Sequence, residues 1–258
     1  MTKRLTTLWT MTRIVLALIA AVLTVIAAAA PAHAQDERPV VVELYTSEGC
    51  SSCPPADALL FDLRDRPGII ALAFHVDYWD YLGWKDRFAR HDFTTRQRAY
   101  ARALGSPMVY TPQIVVDGGA HVVGSNRSAV DAAIGEARAE LPLVDIGLSW
   151  ASDDSLLISI PDAAYQGKAT IWFVRYAEGG QTQVGAGENA GMVLKHANIV
   201  EEIAAIGMWD GQAMVINLPW EAIAHGHGEE GFGCAVLLQP EGLGPILAAR
   251  EIDWPGAM

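Results

Sequence analysis

Apolar residues recur along this chain in distinct patterns, and each pattern predicts a different element. From Val40 to Thr46, and again from Ile69 to Val76, they run almost without break, as in strands covered on both faces. Ala56–Leu63 between them reads as a helix, closed by the turn Arg66-Pro67-Gly68. Phe93, Gln97, Tyr100 and Leu104 follow at three- and four-residue steps, predicting a helix with caps in 92–95 and at Gly105. Gln113–Val116 enters the tight turn Asp117-Gly118-Gly119, with 120–124 as its hairpin partner. Ser128 is expected to cap a last helix reaching about Glu140, ended by Pro142.

From Leu143 the pattern changes to short apolar runs separated by Gly, Pro and Asp. Val144–Trp150, Leu156–Ile160, Ala169–Ala177, Ala213–Leu218, Gly233–Gln239 and Ile246–Ile252 read as strands without intervening helices, which suggests a small β-sandwich. Val193–Ile206 fits either a helix or an irregular strand. The expectation is an α/β domain over 35–142 followed by a β-rich domain over 143–258.

The N-terminus stands apart. Lys3, Arg4 and Arg13 precede an apolar run from Ile14 to Ala30, followed by Pro31 and Ala32-His33-Ala34. A basic segment, a hydrophobic segment and a small-residue site predict a secretory signal peptide over 1–34, leaving no stable membrane anchor after cleavage. No cysteine follows the site, which argues against lipidation, and no Arg-Arg pair marks the twin-arginine route. Cleavage would remove three basic residues and no acidic one, taking the formal charge from −12 to −15. Such a chain is poorly suited to nucleic acid, which selects basic surfaces. The expected location is the periplasm or the exterior, where disulfides persist.

Candidate chemistry then centres on Cys50-Ser51-Ser52-Cys53. A strand, a short turn carrying C-x-x-C and a helix form the local arrangement of a thioredoxin-like redox site. In such a couple Cys50 attacks a partner disulfide and Cys53 resolves the mixed intermediate. Pro54-Pro55 should fall in the first helical turn and leave Cys50 upstream of the helix N-terminus, where it gains less from the dipole. Glu48 and Asp57 add carboxylates that disfavour a thiolate. Cys50 is therefore expected to titrate at or above about 7, the upper end of activated thiols, which favours a reducing or persistent disulfide.

The run Val42–Asp57 is similar to the opening of a family of secreted bacterial thioredoxin-like proteins of unknown function. Further matches are His75–Asp86, Tyr110-Thr111-Pro112-Gln113 and Gly187-Glu188-Asn189-Ala190-Gly191. The resemblance implies a thioredoxin-like fold with a β-rich extension, and it supplies no substrate. It also implies that Pro112 is cis and, with Thr111, shapes a substrate-strand site beside the cysteines; proline is in any case tolerated at the start of a strand.

Several other residues carry two readings. Glu43 is either a buried carboxylate moving protons for the second thiol or an exposed residue of an alternating strand. His75, Asp77, Trp79 and Trp84 follow the second strand at its carboxyl end, and are expected to line one cleft that exposes Cys50. The bland alternative is a structural plug, with Asp77 capping a turn. Cys234 reads as an inert core thiol outside the Cys50–Cys53 disulfide. His225-Gly226-His227-Gly228-Glu229-Glu230 has a metal-like composition, yet most such loops are solvated, and no metal ligand set is assigned. No phosphate loop, nucleophile elbow or H-E-x-x-H motif is present, and no cofactor is called for.

The leading expectation is an exported thiol–disulfide oxidoreductase acting on protein thiols and disulfides of the cell envelope. The alternatives are a non-enzymatic binding module stapled by Cys50–Cys53, and a copper-handling protein using the thiols with His75 or His225/His227, since thiolates suit Cu(I).

Overall fold

The computed structural model describes residues 38–140, 142–152, 155–223 and 231–252. The proposed leader over 1–34 and the whole His225–Glu230 loop lie outside these residues. The near-continuous apolar runs become the two central strands. β1 (Val40–Thr46) pairs in parallel with β2 (Ile69–His75), from Val40 opposite Ile69 to Thr46 opposite His75. Every residue of both strands is buried, as the lack of alternation predicted. On the other side β1 pairs antiparallel with β3 (Gln113–Val116), which forms the expected hairpin with β4 (Ala120–Val123).

Three helices cover these strands. The even-numbered side chains of β1, Val40, Val42 and Leu44, pack beneath α1 (Pro54–Arg64) and α3 (Arg127–Arg138). The odd-numbered Val41 and Tyr45 face Phe93 and Tyr100 of α2 (His91–Ala103). α3 is capped by Asn126 rather than Ser128: the Asn126 side chain accepts from the Ala129 N–H, while the Ser128 hydroxyl donates to Asn126.

Beyond residue 142 the chain is β-rich, as expected, but its strands do not form a separate sandwich. β5 (Gly147–Trp150), β6 (Leu156–Ile160) and β9 (Met214–Leu218) make a three-stranded sheet. β7 (Ala169–Gln183), β8 (Val193–Trp209), β10 (Phe232–Pro240) and β11 (Ala248–Glu251) instead extend the first sheet. The result is one mixed eight-stranded sheet in the order β11-β10-β7-β8-β2-β1-β3-β4. The physical reason is the free edge of β2, a buried apolar strand that would otherwise present unpaired backbone groups; β8 lies parallel beside it at Ala73 and Ile199. The ambiguous segment after Val193 is thus a strand, with register shifts against β7 between Ile171/Trp172 and Arg175/Tyr176.

The described residues from Arg38 onward form a single compact unit. One apolar cluster contains Val41, Phe74 and Tyr100 together with Val174, Ala235 and Leu237 from beyond residue 142. Alternate residues of the same outer strands, Ile171, Phe173, Val236 and Leu238, pack with Ile158 and Ile160 of the small sheet. A short helix, α4 (Trp220–Ile223), follows β9. No helix among the described residues is long and apolar enough to cross a membrane.

Candidate functional site at the thiol turn

β1 delivers the chain into a turn over 47–52, and α1 begins at Pro54 with Cys53 as its N-cap. The prolines occupy the first helical turn because the missing N–H groups there need no intrahelical partner. The Cys50 N–H donates to Ser47 O at 3.1 Å, and the Cys53 N–H to Cys50 O at 3.2 Å. Cys50 and Cys53 are joined by a disulfide, with their Cα atoms 5.4 Å apart. Cys234 is outside the disulfide on buried β10, and burial pushes its thiol pKa up to about 12.

Below this turn lies a buried polar cluster. Glu48 is fully buried and its Oε2 accepts from Trp84 Nε1 at 2.7 Å. Asp86 Oδ2 accepts from the Glu48 N–H at 2.9 Å and contacts His75 Nδ1 at 2.7 Å. Burial alone would lower the His75 pKa, but the Asp86 carboxylate, with Asp57 and Glu48 beyond it, raises it. Burial opposes ionisation of Asp86, whereas His75 and the N–H groups of Glu48 and Phe88 hold its pKa below the usual range. Asp57, one turn after Cys53 in α1, accepts from Thr46 Oγ1 at 2.9 Å. His196 of β8 stands between two of these acids, 3.8 Å from Glu48 through Nε2 and 3.8 Å from Asp57 through Nδ1. The two imidazoles meet edge to face, 4.7 Å apart. Glu48 Oε1, His75 Nε2 and both His196 nitrogens are buried without a hydrogen-bond partner.

Two segments wrap the turn. In the first, Trp79 Nε1 donates to Thr111 Oγ1 at 2.8 Å, and a Cβ placed on Gly49 would stand 3.1 Å from Trp79 Cβ, so Trp79 packs over Gly49. In the second, the β7–β8 connection, Asn189 Nδ2 donates to Glu48 O at 2.9 Å and to Cys50 O at 3.0 Å. Glu188 Oε2 beside it accepts from the Ser51 hydroxyl at 2.7 Å and the Ser51 N–H at 3.3 Å. The Thr111–Pro112 peptide is cis. A Cβ placed on Gly124 would stand 3.3 Å from Pro112 Cβ and 3.1 Å from Ala56 Cβ, so the proline lies against the first turn of α1.

The structure therefore gathers Cys50, Cys53, His75, Trp79, Trp84, Thr111 and Pro112 around one turn, but not as an open cleft. Cys50 is not exposed: both cysteines have 0% accessible surface, in a turn whose Cys50 carbonyl is held by Asn189 and over whose Gly49 Trp79 packs. His75 is buried as well. Asp77 points toward α2, pairing with Thr94 and His91, whose hydrogen bonds overcome burial and lower its pKa. These bonds tie the segment after β2 to two side chains of α2. Glu43 is buried, but on the opposite face of β1 from α1, because side chains alternate along a strand. Its oxygens are taken by Arg96 at 2.8 Å on each, by Tyr100 at 2.6 Å and by Tyr45 at 2.9 Å. This is a structural ion pair.

Sequence reasoning missed His196, Asn189 and the buried partnership of Glu48 with Trp84 and Asp86. His196 is a single histidine in an apolar strand and gave no signal; Asn189 was visible only as part of a G-E-N-A-G run. Among the described residues no group of three or more His, Cys, Asp or Glu side chains is arranged to hold a metal ion.

Residues 41–239 match the family described as "Protein of unknown function (DUF1223)", and the chain belongs to it. No curated protein matches. A crystal structure of a protein from Agrobacterium tumefaciens is similar, with 33% identity and a TM-score of 0.73, covering 87% of this chain and 98% of that one. HBP35 of Porphyromonas gingivalis shares the fold at 14% identity and a TM-score of 0.57, over 86% of this chain and 78% of that one.

Proposed function

With membership of that family as the premise, we propose that the protein is an exported thiol–disulfide oxidoreductase built on a thioredoxin-like α/β half with a β-rich extension. The observation that carries this reading is the Cys50–Cys53 disulfide in the turn between β1 and α1, seated on a buried His and carboxylate cluster. A staple needs no buried titratable groups beneath it; a redox couple does, because its sulfurs change protonation when they change oxidation state.

In the proposed cycle a thiolate of a reduced partner protein bonds to Cys50 Sγ. The Cys50–Cys53 bond breaks and its electron pair leaves on Cys53 Sγ. Cys53 is buried, so a bare thiolate there is costly and takes up a proton. Asp57 lies one helical turn from Cys53, and His196 lies between Asp57 and Glu48, so these three are the groups suited to pass that proton. The partner's second thiolate then attacks its own mixed-disulfide sulfur, releasing Cys50 as a thiol. The reverse sequence oxidises the protein. With Glu48, Asp57 and Glu188 around the turn and no helix N-terminus directly at Cys50, the thiolate is weakly stabilised and the reduced protein acts as a donor.

Partner trapping tests this reading. Cys53→Ser protein, expressed in the native envelope, should accumulate mixed disulfides through Cys50 that dithiothreitol releases. Absence of such adducts, together with a Cys50–Cys53 couple that no envelope protein reduces, favours the binding module with a permanent staple. That second reading has one observation in its favour, the complete burial of both sulfurs.

A further inference from the structure

The buried disulfide raises a problem for the proposed chemistry. An attacking thiolate must approach Cys50 Sγ along the S–S axis, yet neither cysteine has any accessible surface. The residues between them, Ser51 and Ser52, are exposed, so the turn itself reaches solvent. What reaches this turn from far along the chain is the tip of the β7–β8 hairpin, through Glu188 and Asn189. Val184 and Met192 pair at its base (2.9 Å), and the Gly191 N–H donates back to Val184 O at 2.9 Å. Gly185 and Gly187 lie against the Trp84 ring and its Cβ; Gly187 has φ +76°, so a side chain there would be strained.

Within this tip Asn189 is 2% exposed, between exposed Glu188 and Ala190. Its amide holds two carbonyls of the thiol turn, Glu48 O and Cys50 O, and Glu188 holds Ser51 from outside. No other described element makes polar contacts of this kind to the backbone of 48–51 from so far along the chain.

We propose that residues 185–191 are a gate over Cys50, latched by Asn189 and Glu188, which must swing away before any thiolate reaches the sulfur. Asn189 and Glu188 are then specificity-determining residues for the redox site: a partner reacts at a rate set by its ability to displace the latch. The closing contacts are few, and all lie at a hairpin tip whose base can remain paired. Opening therefore needs no unfolding of the sheet. This inference rests on the oxidoreductase reading for its biological meaning, while its test does not.

The test is the rate at which dithiothreitol reduces the oxidised full-length protein, followed by thiol release. One dithiothreitol thiolate bonds to Cys50 Sγ as the Cys50–Cys53 bond breaks and the pair leaves on Cys53. The second thiolate closes the cyclic disulfide, and the two dithiothreitol protons end on Cys50 and Cys53. Native wild-type protein should react far more slowly than the same protein in denaturant. Asn189→Ala should react at least about tenfold faster than wild type in buffer, and identically in denaturant, because two hydrogen bonds of the latch are gone. Glu188→Ala, an exposed change that leaves the buried amide in place, should give a smaller acceleration in the same direction. A native wild-type rate equal to the denatured rate overturns the gate. So do wild-type rates in both variants while their thermal unfolding midpoints match the parent. If Asn189→Ala fails to fold, Glu188→Ala and the wild-type comparison still decide. Partner trapping through Cys53→Ser is a separate readout, so gate and oxidoreductase reading can fail independently.

Discussion

At the scale of single residues, the polar groups buried in this molecule are those where a substitution is most telling. Arg96 is held by both oxygens of Glu43 and lies close to Tyr100 and Gln239, all within the apolar core. Removing the guanidinium leaves the carboxylate buried with its charge uncompensated. Arg96→Met should therefore lose about 3–5 kcal/mol in denaturant unfolding, with part recovered in the Glu43→Leu/Arg96→Met double variant. Equal midpoints for single variant and wild type would show that water reaches Glu43. The His75–Asp86 pair adds a pH signature. The raised His75 pKa contributes stability that is complete below the unfolded value of about 6.5 and disappears as pH rises through the folded value. The lowered Asp86 pKa contributes stability that is complete above about 3.9 and disappears as pH falls through the folded value. Together they place the pair's full effect between about pH 4 and 6.5. Urea unfolding of wild type and Asp86→Asn should diverge most in that window and converge toward alkaline pH; a difference that stays constant into the alkaline range refutes the ion pair.

At the scale of elements, much of the chain could be read in advance. The unbroken apolar runs of β1 and β2 announced buried central strands, and the Asp117-Gly118-Gly119 turn announced its hairpin. The prolines after Cys53 located the start of α1. What could not be read was pairing between distant strands. Periodicity tells which face of a strand is apolar, and β7, β8, β10 and β11 have two apolar faces because one meets the α2 core and the other the small sheet. A sandwich and an extended sheet produce the same pattern. The face of Glu43 was unreadable for the same reason, since a lone strand does not announce which side a helix will cover. Of the site, the cysteines and the tryptophans were legible from local sequence, and Pro112 through the family resemblance. His196 and Asn189 were not, because they act across more than 130 residues of chain. Gly118 marks a further long-range dependence. It has φ +66°, and a Cβ there would collide with the Gly244 carbonyl oxygen. Gly118→Ala should lower the unfolding midpoint by more than an ordinary turn glycine does, upward of about 1 kcal/mol. A neutral result would mean that the 240–245 turn does not hold its place against β3.

At the scale of the whole molecule, the two halves share one sheet and one core. The Arg38 guanidinium spans Asp117 and the Ile246 carbonyl, and Gln239 completes the Tyr100 cluster from the far end of the chain. A fragment ending at residue 142 keeps β1 to β4 and their helices but loses β8 from the β2 edge and Gln239 from Arg96. It should aggregate or remain unfolded when expressed alone; a monomeric fragment with a cooperative transition would show that the halves are independent. In the full chain, tryptophan fluorescence and the far-ultraviolet signal should report one common midpoint.

The reach of Asn189 back to Cys50 also orders events in time. A chain that emerges from the N-terminus presents both thiols, in the turn between β1 and α1, well before residue 189 has been made. An oxidant acting at that stage would meet an uncovered turn in a half-made protein. Under the proposed gate, the arrival of the β7–β8 hairpin takes the bond out of general reach, and the finished molecule is expected not to exchange with every thiol it encounters. On that reading synthesis writes an oxidation state into the protein, and the later half of the chain decides who is allowed to erase it.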